Sequence, residues 1–427
     1  MKRIWFLLQV ATINVVVLVA LVAGIEAYFR ATASPANLDP GGNMIWQRFH
    51  PYVMFHSLPT VYTGWVDRYT GENIGANVTT NGLGFRDARE FSTTETYEKS
   101  PGERVVLFTG GSTAWGVGAS GDDKTVASRL EAYLNEAQDE VTYTVINMAM
   151  GSWIAYQQFI GLDLWGRQFD PDWVVVLDGA NDATVVCASS QGVGNPMYTA
   201  VMRAYVDGYL GTQLQPPFYR GWFENELIRF SAAYRELTGK KVVPNTLHID
   251  EAKSDAFLQR VAIEPLSARE SFSHTAFYVK SQRAVADLFD GTKTLFAFQP
   301  FPNPSHLEFP WTEPGIDDPE IVKRDHMALV DSGILALPEG LQCGQEAFLS
   351  HPVVYYQKVL LATALEDLVQ DLRENGKDAY YGNTGPWFPA DPDERKSYFI
   401  DAVHLKDSGM DIVAKGLAEH VLKADGF

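Results

Sequence analysis

Cysteine is nearly missing, with Cys187 and Cys343 the only two among 427 residues. That excludes a small disulfide-stapled scaffold, and a multi-cysteine metal site needs more thiolates at closer spacing. An oxidising compartment would let the two pair, and the spacing leaves open whether they do. The nine histidines are scattered. None forms a His-x-x-x-His or His-Glu-x-x-His pair, so the sequence holds no helical zinc motif and implies no metal or other cofactor. No Gly-Lys-Ser/Thr follows the glycine-rich residues 110–118, which removes the phosphate-cradling loop. Positive charge is scarce as well. Lys+Arg 34 against Asp+Glu 53 gives a net charge of −19, and such a surface repels phosphate backbones, so nucleic acid is not an expected partner.

What is there is a globular balance, 46% hydrophobic and 20% charged, with length for about two or three domains. The first 30 residues differ from the rest. From Ile4 to Ile25 no residue is charged, and a helix of that length spans a hydrocarbon core of about 30 Å. Lys2 and Arg3 precede the run, which keeps the amino end cytoplasmic and carries the remainder across. A cleaved leader is the alternative. Ala31-Thr32-Ala33 has the small-x-small pattern, but the apolar run is long and Arg30 intervenes. The expectation is a single-pass protein anchored by residues 1–30, its carboxyl-terminal part periplasmic or extracellular and its lipid contact made by that helix. Asn77-Val78-Thr79 is a glycosylation sequon.

Residues 31–100 read as a loop-rich segment without a core of its own, punctuated by Pro35, Pro40-Gly41-Gly42 and Asn81-Gly82. Then a strand–helix rhythm begins. Short apolar runs at 104–109, 143–147, 173–177 and 294–298 predict buried strands. Helical spacing marks 124–138, 153–168, 277–289, 354–374 and 408–423. Alternating β and α elements predict a parallel sheet covered on both faces. Ligands bind such sheets beyond the carboxyl ends of their strands.

Those ends carry chemistry. Gly110-Gly111-Ser112-Thr113 follows the first strand, Asn147-Met148-Ala149-Met150-Gly151 the second and Asp178-Gly179-Ala180-Asn181-Asp182 the third. Asp401-Ala402-Val403-His404 stands just before the last helix. A serine hydroxyl needs a base to become a nucleophile, and His404 suits that role, with Asp401 to orient it. The backbone N–H groups of Ser112 and Gly151 and the side-chain amide of Asn181 are candidate oxyanion donors. Each piece alone reads more simply as a turn, a cap or an ion pair. Their common placement at strand ends is what gives them meaning.

Ser112, Gly151, Asn181 and His404, in that order, resemble the four block residues of the SGNH (GDSL-like) hydrolase superfamily. Residues 171–182 are similar to its third block and residues 399–405 to its fifth. The resemblance implies a flavodoxin-like three-layer α/β/α sandwich and ester hydrolysis or acyl transfer. Ser112 would be the nucleophile, His404 the base, Asp401 its orienter, and Gly151 and Asn181 oxyanion donors. Gly111 departs from the most familiar pattern, which has Asp before the serine, and Gly-Gly-Ser-Thr looks like the variant of membrane-tethered bacterial members. Residues 101–427 then form one domain, with insertions at about 183–270 and 300–350. The first insertion carries Tyr198, Tyr205, Tyr209, Phe218, Tyr219, Trp222 and Phe223, read here as the packing face of a helical subdomain, with the wall of an acyl or sugar cleft as the alternative. Arg86 is expected in a salt bridge with Asp87 or another acid, with substrate contact as the alternative. The leading expectation is a bacterial inner-membrane esterase acting on O-acyl, chiefly O-acetyl, groups of an envelope polysaccharide or glycoconjugate. Its rivals are an O-acyltransferase and a non-catalytic subunit that uses the fold to bind protein partners in a membrane complex.

Overall fold

A computed structural model describes residues 2–32, 47–50, 52–57, 61–91, 96–184, 268–289, 291–302 and 352–427. Cys187, Cys343, the aromatic residues of the first insertion and most of the second insertion lie outside them. The chain divides into two compact units, one of residues 1–45 and 204–250, the other of residues 46–203 and 251–427.

In the first unit, α1 (Lys2–Thr32) is a continuous helix coinciding with the expected anchor. Among the described residues no helix is long and apolar enough to cross a membrane.

The second unit is built on five parallel strands: β5 (Glu103–Gly110), β6 (Thr142–Asn147), β7 (Trp173–Asp178), β8 (Lys293–Phe298) and β9 (Ala379–Asn383). Their order is β6-β5-β7-β8-β9, the doubly wound arrangement of the flavodoxin type. Central β7 reads Trp-Val-Val-Val-Leu-Asp and is buried at every position, as a strand covered on both faces must be. Helices α3 (Val126–Glu136) and α9 (Asp407–Asp425) pack against each other, while α6 (Ala268–Leu288) packs on α4 (Ala155–Gly161) and α7 (Pro352–Glu374). Thr125 caps α3 by accepting the Ser128 N–H, satisfying one of its orphan donors.

The helix expected over 153–168 is shorter and broken. After α4 come a wide π turn, Leu162–Gly166, and a 3-10 turn, Arg167–Phe169. The four predicted strands and three of the other four predicted helices fall within a few residues of their expected bounds, while α6, expected over 277–289, begins nine residues earlier, at Ala268. The edge strand β9 and the short helix α8 (Pro392–Lys396) were not anticipated.

Residues 47–91 are less loop-like than their punctuation suggests. β1 (Gln47–His50) pairs antiparallel with β2 (Met54–Ser57), and β3 (Val61–Val66) with β4 (Asn73–Thr79), whose end carries the sequon. Their buried residues, among them Val53, Trp65 and Val78, dock on the sandwich. Gln157 Nε2 donates to Val53 O at 2.6 Å and Trp65 Nε1 to Ala119 O at 2.9 Å. Hairpins this short are marginal alone and gain stability by such packing.

Candidate active site

Strand order places a topological switch between β5 and β7, where the first connections run to opposite sides, and ligand sites form there. Ser112 begins α2 (Ser112–Trp115) with only Gly111 between it and β5, and Asn181 lies in α5 (Ala180–Ala183) just beyond β7. His404 reaches the same edge from a loop ahead of α9. Residues 112 and 404, separated by 292 positions, meet with Ser112 Oγ 2.7 Å from His404 Nε2. His404 Nδ1 is in turn 2.7 Å from Asp401 Oδ2.

The loop that carries the acid and the base is organised by the acid. Phe399 and Leu405 form an antiparallel bridge that pinches its two ends. Inside it, Asp401 Oδ1 accepts the backbone N–H of Val403 at 2.9 Å and of His404 at 2.8 Å. Burial acts to raise the Asp401 carboxyl, but the charge of His404 and these hydrogen bonds outweigh it and hold the group at about 2. At neutral pH it is therefore an acceptor on both oxygens. Nδ1 must carry the imidazole proton, and Nε2 is left to accept from the serine hydroxyl. The side chains of Asp401 and His404 are 10% and 19% exposed, so the acid is the more enclosed of the two.

Hydrogen bonds fix this loop and the start of α9 against the segments that follow β5 and β8. Thr113 Oγ1 and Gln299 Nε2 both donate to the carbonyl of Val403, at 3.1 and 2.7 Å. Ser120 N–H donates to Asp407 Oδ1 at 2.8 Å. At Gly118 (φ +97) a Cβ would lie 2.1 Å from Leu405 O, so only glycine lets the two backbones run this close.

Gly151 sits in the turn 150–153, closed by Trp153 N–H donating to Met150 O at 3.3 Å. Asn181 Nδ2 donates to Trp153 O at 2.8 Å, tying α5 to that same turn. The departure at Gly111 has a steric reason, since a Cβ there would lie 2.6 Å from Asn181 Nδ2. Gly111→Ala is expected to displace that amide and lower kcat for ester hydrolysis by about 10²-fold, the loss typical of one oxyanion donor. Steady-state kinetics of the folded variant check this.

Ser112, Gly151, Asn181, Asp401 and His404 thus all stand around the carboxyl edge of β5, β6 and β7. Arg86 is buried with its Nε 2.8 Å from Asp122 Oδ1, over the Trp115 ring, and Asp87 pairs with Arg89 instead. The acid that Arg86 meets is therefore a distant one. Thr113, Gln299 and Asp182 were not assigned roles from the sequence. Gln299 directly follows β8 and so had the same strand-end signal as the others. Among the described residues no cluster of His, Cys, Asp and Glu is arranged to hold a metal ion.

No family model and no curated protein matches the chain. Solved structures similar to it include a family 3 carbohydrate esterase of Clostridium thermocellum, at 11% identity and a TM-score of 0.34, covering 76% of this chain and 100% of that one. A protein of Parabacteroides merdae assigned as a GDSL-like lipase is 11% identical at a TM-score of 0.35, covering 76% and 95%. A family 2 carbohydrate esterase with a carbohydrate-binding domain, from Corynascus thermopiles, is 12% identical at 0.34, covering 83% and 71%. These are likenesses, and what the site can do is read from its own atoms.

Proposed function

We propose that this protein is a serine esterase of the SGNH type, held at a membrane by α1 and acting on O-acyl groups of an envelope carbohydrate. The observation that carries the esterase reading is the continuous relay from Asp401 through His404 to Ser112, with both contacts at 2.7 Å. Ser112 Oγ attacks the acyl carbonyl as His404 Nε2 takes its proton. Negative charge develops on the carbonyl oxygen, where the N–H groups of Ser112 and Gly151 and the Asn181 amide receive it. As the tetrahedral species collapses, the sugar oxygen leaves with the proton from His404, and the acyl group remains on Ser112. Water then attacks the acyl-enzyme, again losing its proton to His404, and the carboxylic acid departs as Ser112 regains its hydrogen.

The anchor reading is supported by α1 itself. Val15, Val16, Val17, Leu18 and Val19 are consecutive and each 51–62% exposed. Consecutive residues point around the whole circumference, and a helix apolar on all sides needs an apolar surrounding. Lys2 and Arg3 ahead of the uncharged run support an amino end on the cytoplasmic side. The tether supports the carbohydrate class, since an anchored domain meets the envelope polymers around it.

The test uses the full chain in mild detergent. Acetate release from an O-acetylated polysaccharide and covalent labelling by a fluorophosphonate are measured for the parent and Ser112→Ala. Both are expected in the parent, with the label mapped to Ser112, and neither in the variant. A parent matching its variant in both measurements overturns the esterase reading. Capture of the acyl group by an added sugar would mark the reaction as transfer.

A further inference from the structure

We propose that Asp182 is a positioning residue for the oxyanion hole, an inference that rests on the esterase reading. Asn181 Nδ2 has two hydrogens, and one of them is engaged by Trp153 O at 2.8 Å. The direction of the other is therefore set by where Trp153 stands. Trp153 ends the turn that holds Gly151, so both non-serine donors depend on the placement of one loop. Asp182, the next residue along α5, grips that loop at a second point, where its Oδ2 accepts the Ala155 N–H at 2.9 Å. Two consecutive side chains of one short helix thus fix residues 153 and 155.

The carboxylate does more than an amide would. Asp182 is 1% exposed, and a buried charge is costly without partners. Its Oδ1 lies 3.3 Å from Nε2 of His274, a side chain of α6 that is itself fully buried. The loop and α5 are thereby referred to α6 as well as to each other. The neighbouring Asp178 is held by other side chains of α6. Its oxygens accept from Tyr278 OH at 2.8 Å and Gln282 Nε2 at 2.7 Å, and burial, with the Asp182 charge next, pushes its carboxyl well above the usual range.

Asp182→Asn keeps an oxygen for Ala155 N–H but gives up the charge facing His274, while Asp182→Ala gives up both. The test counts active sites by fluorophosphonate labelling of Ser112 and then measures kcat and KM per labelled site for a p-nitrophenyl ester. The expected order of kcat is parent, then Asn, then Ala. The Ala variant should fall at least about tenfold with KM nearly unchanged, because slight misplacement of a donor acts on the transition state. A purely structural role would reduce the number of labelled sites and leave kcat per site at the parent value, and that result overturns the proposal. If the Ala variant does not fold, the Asn variant decides, and parental kcat per site in it overturns the proposal equally. A parent that is never labelled at Ser112 overturns the esterase reading and this inference with it, whereas a labelled parent with indifferent variants overturns only the inference.

Discussion

Replacing Asp401 by Asn is expected to lower kcat for ester hydrolysis by about 10⁴-fold while leaving the fold intact. The reason lies in the division of labour between its oxygens. Oδ1 accepts two backbone N–H groups, from Val403 and His404, and Oδ2 accepts from His404 Nδ1. Asparagine has one oxygen to offer, and the two N–H groups of its own loop claim it. Its NH2 then faces Nδ1 and needs an acceptor there. The imidazole answers by moving its proton to Nε2, the nitrogen that stands 2.7 Å from Ser112 Oγ. A protonated Nε2 cannot take the serine proton, so the nucleophile is lost without loss of geometry. A fall of less than tenfold in kcat would mean that Asp401 does not set the tautomer.

The same substitution has a signature in acid. The folded-state pKa of Asp401 is held at about 2, below its ordinary 3.8. A carboxyl lowered on folding contributes stability that is fully present above the ordinary value and is lost as pH falls through about 2. Thermal unfolding followed from about pH 5 down to about pH 2 should therefore show a steeper acid decline in the parent than in Asp401→Asn.

Much of the site was legible because it obeys one geometric rule. Ser112, Gly151 and Asn181 each follow an apolar run of strand length, and a strand buried on both faces writes itself into sequence as continuous Val, Leu and Phe. β7 is the clearest case. β9 was missed for the opposite reason: Ala379-Tyr380-Tyr381-Gly382-Asn383 is an edge strand, only partly buried, and its Gly-Asn end resembles a turn. The hairpins of residues 47–79 were missed because their apolar residues are spread singly and find their burial on another part of the chain. Asp182 and Gln299 carry no local sign of their partners, Ala155, His274 and Val403, all of which lie more than 25 positions away. A hydrogen bond between distant segments leaves no periodicity to read. Helix α1 is a different case, since the uncharged run from Ile4 to Ile25 marks a helix in the sequence without reference to any tertiary partner.

Asp425→Ala is expected to reduce the free energy of unfolding by about 3 kcal/mol with no change in kcat per active site. Asp425 is the last residue of α9, and its side chain is 2% exposed. Four adjacent strands each send it one donor from their amino-terminal ends. Tyr143 of β6 reaches it with its hydroxyl, Arg104 of β5 with its guanidinium, Trp173 of β7 with Nε1 at 3.2 Å and Lys293 of β8 with Nζ at 2.7 Å. Burial would raise this carboxyl, but Lys293, Tyr143, Arg104 and Trp173 together bring it below its ordinary value. Removing it leaves two cations facing each other and two buried donors without their acceptor. Arg104 and Lys293 keep 31% and 28% exposure and regain some water, which places the loss at the lower end of the range for broken buried pairs, about 3–5 kcal/mol. Asp425→Asn, which keeps one acceptor oxygen but no charge, should fall between the parent and Ala. The active site stands at the other end of the same strands, roughly 20 Å away at about 3.3 Å per residue. Urea unfolding measures the stability, and fluorophosphonate titration of Ser112 gives the rate per competent molecule. Unchanged stability in Asp425→Ala would mean that the four strands hold their register without this carboxylate, and the closing of the sheet at its amino-terminal edge would then have to come from helix packing alone.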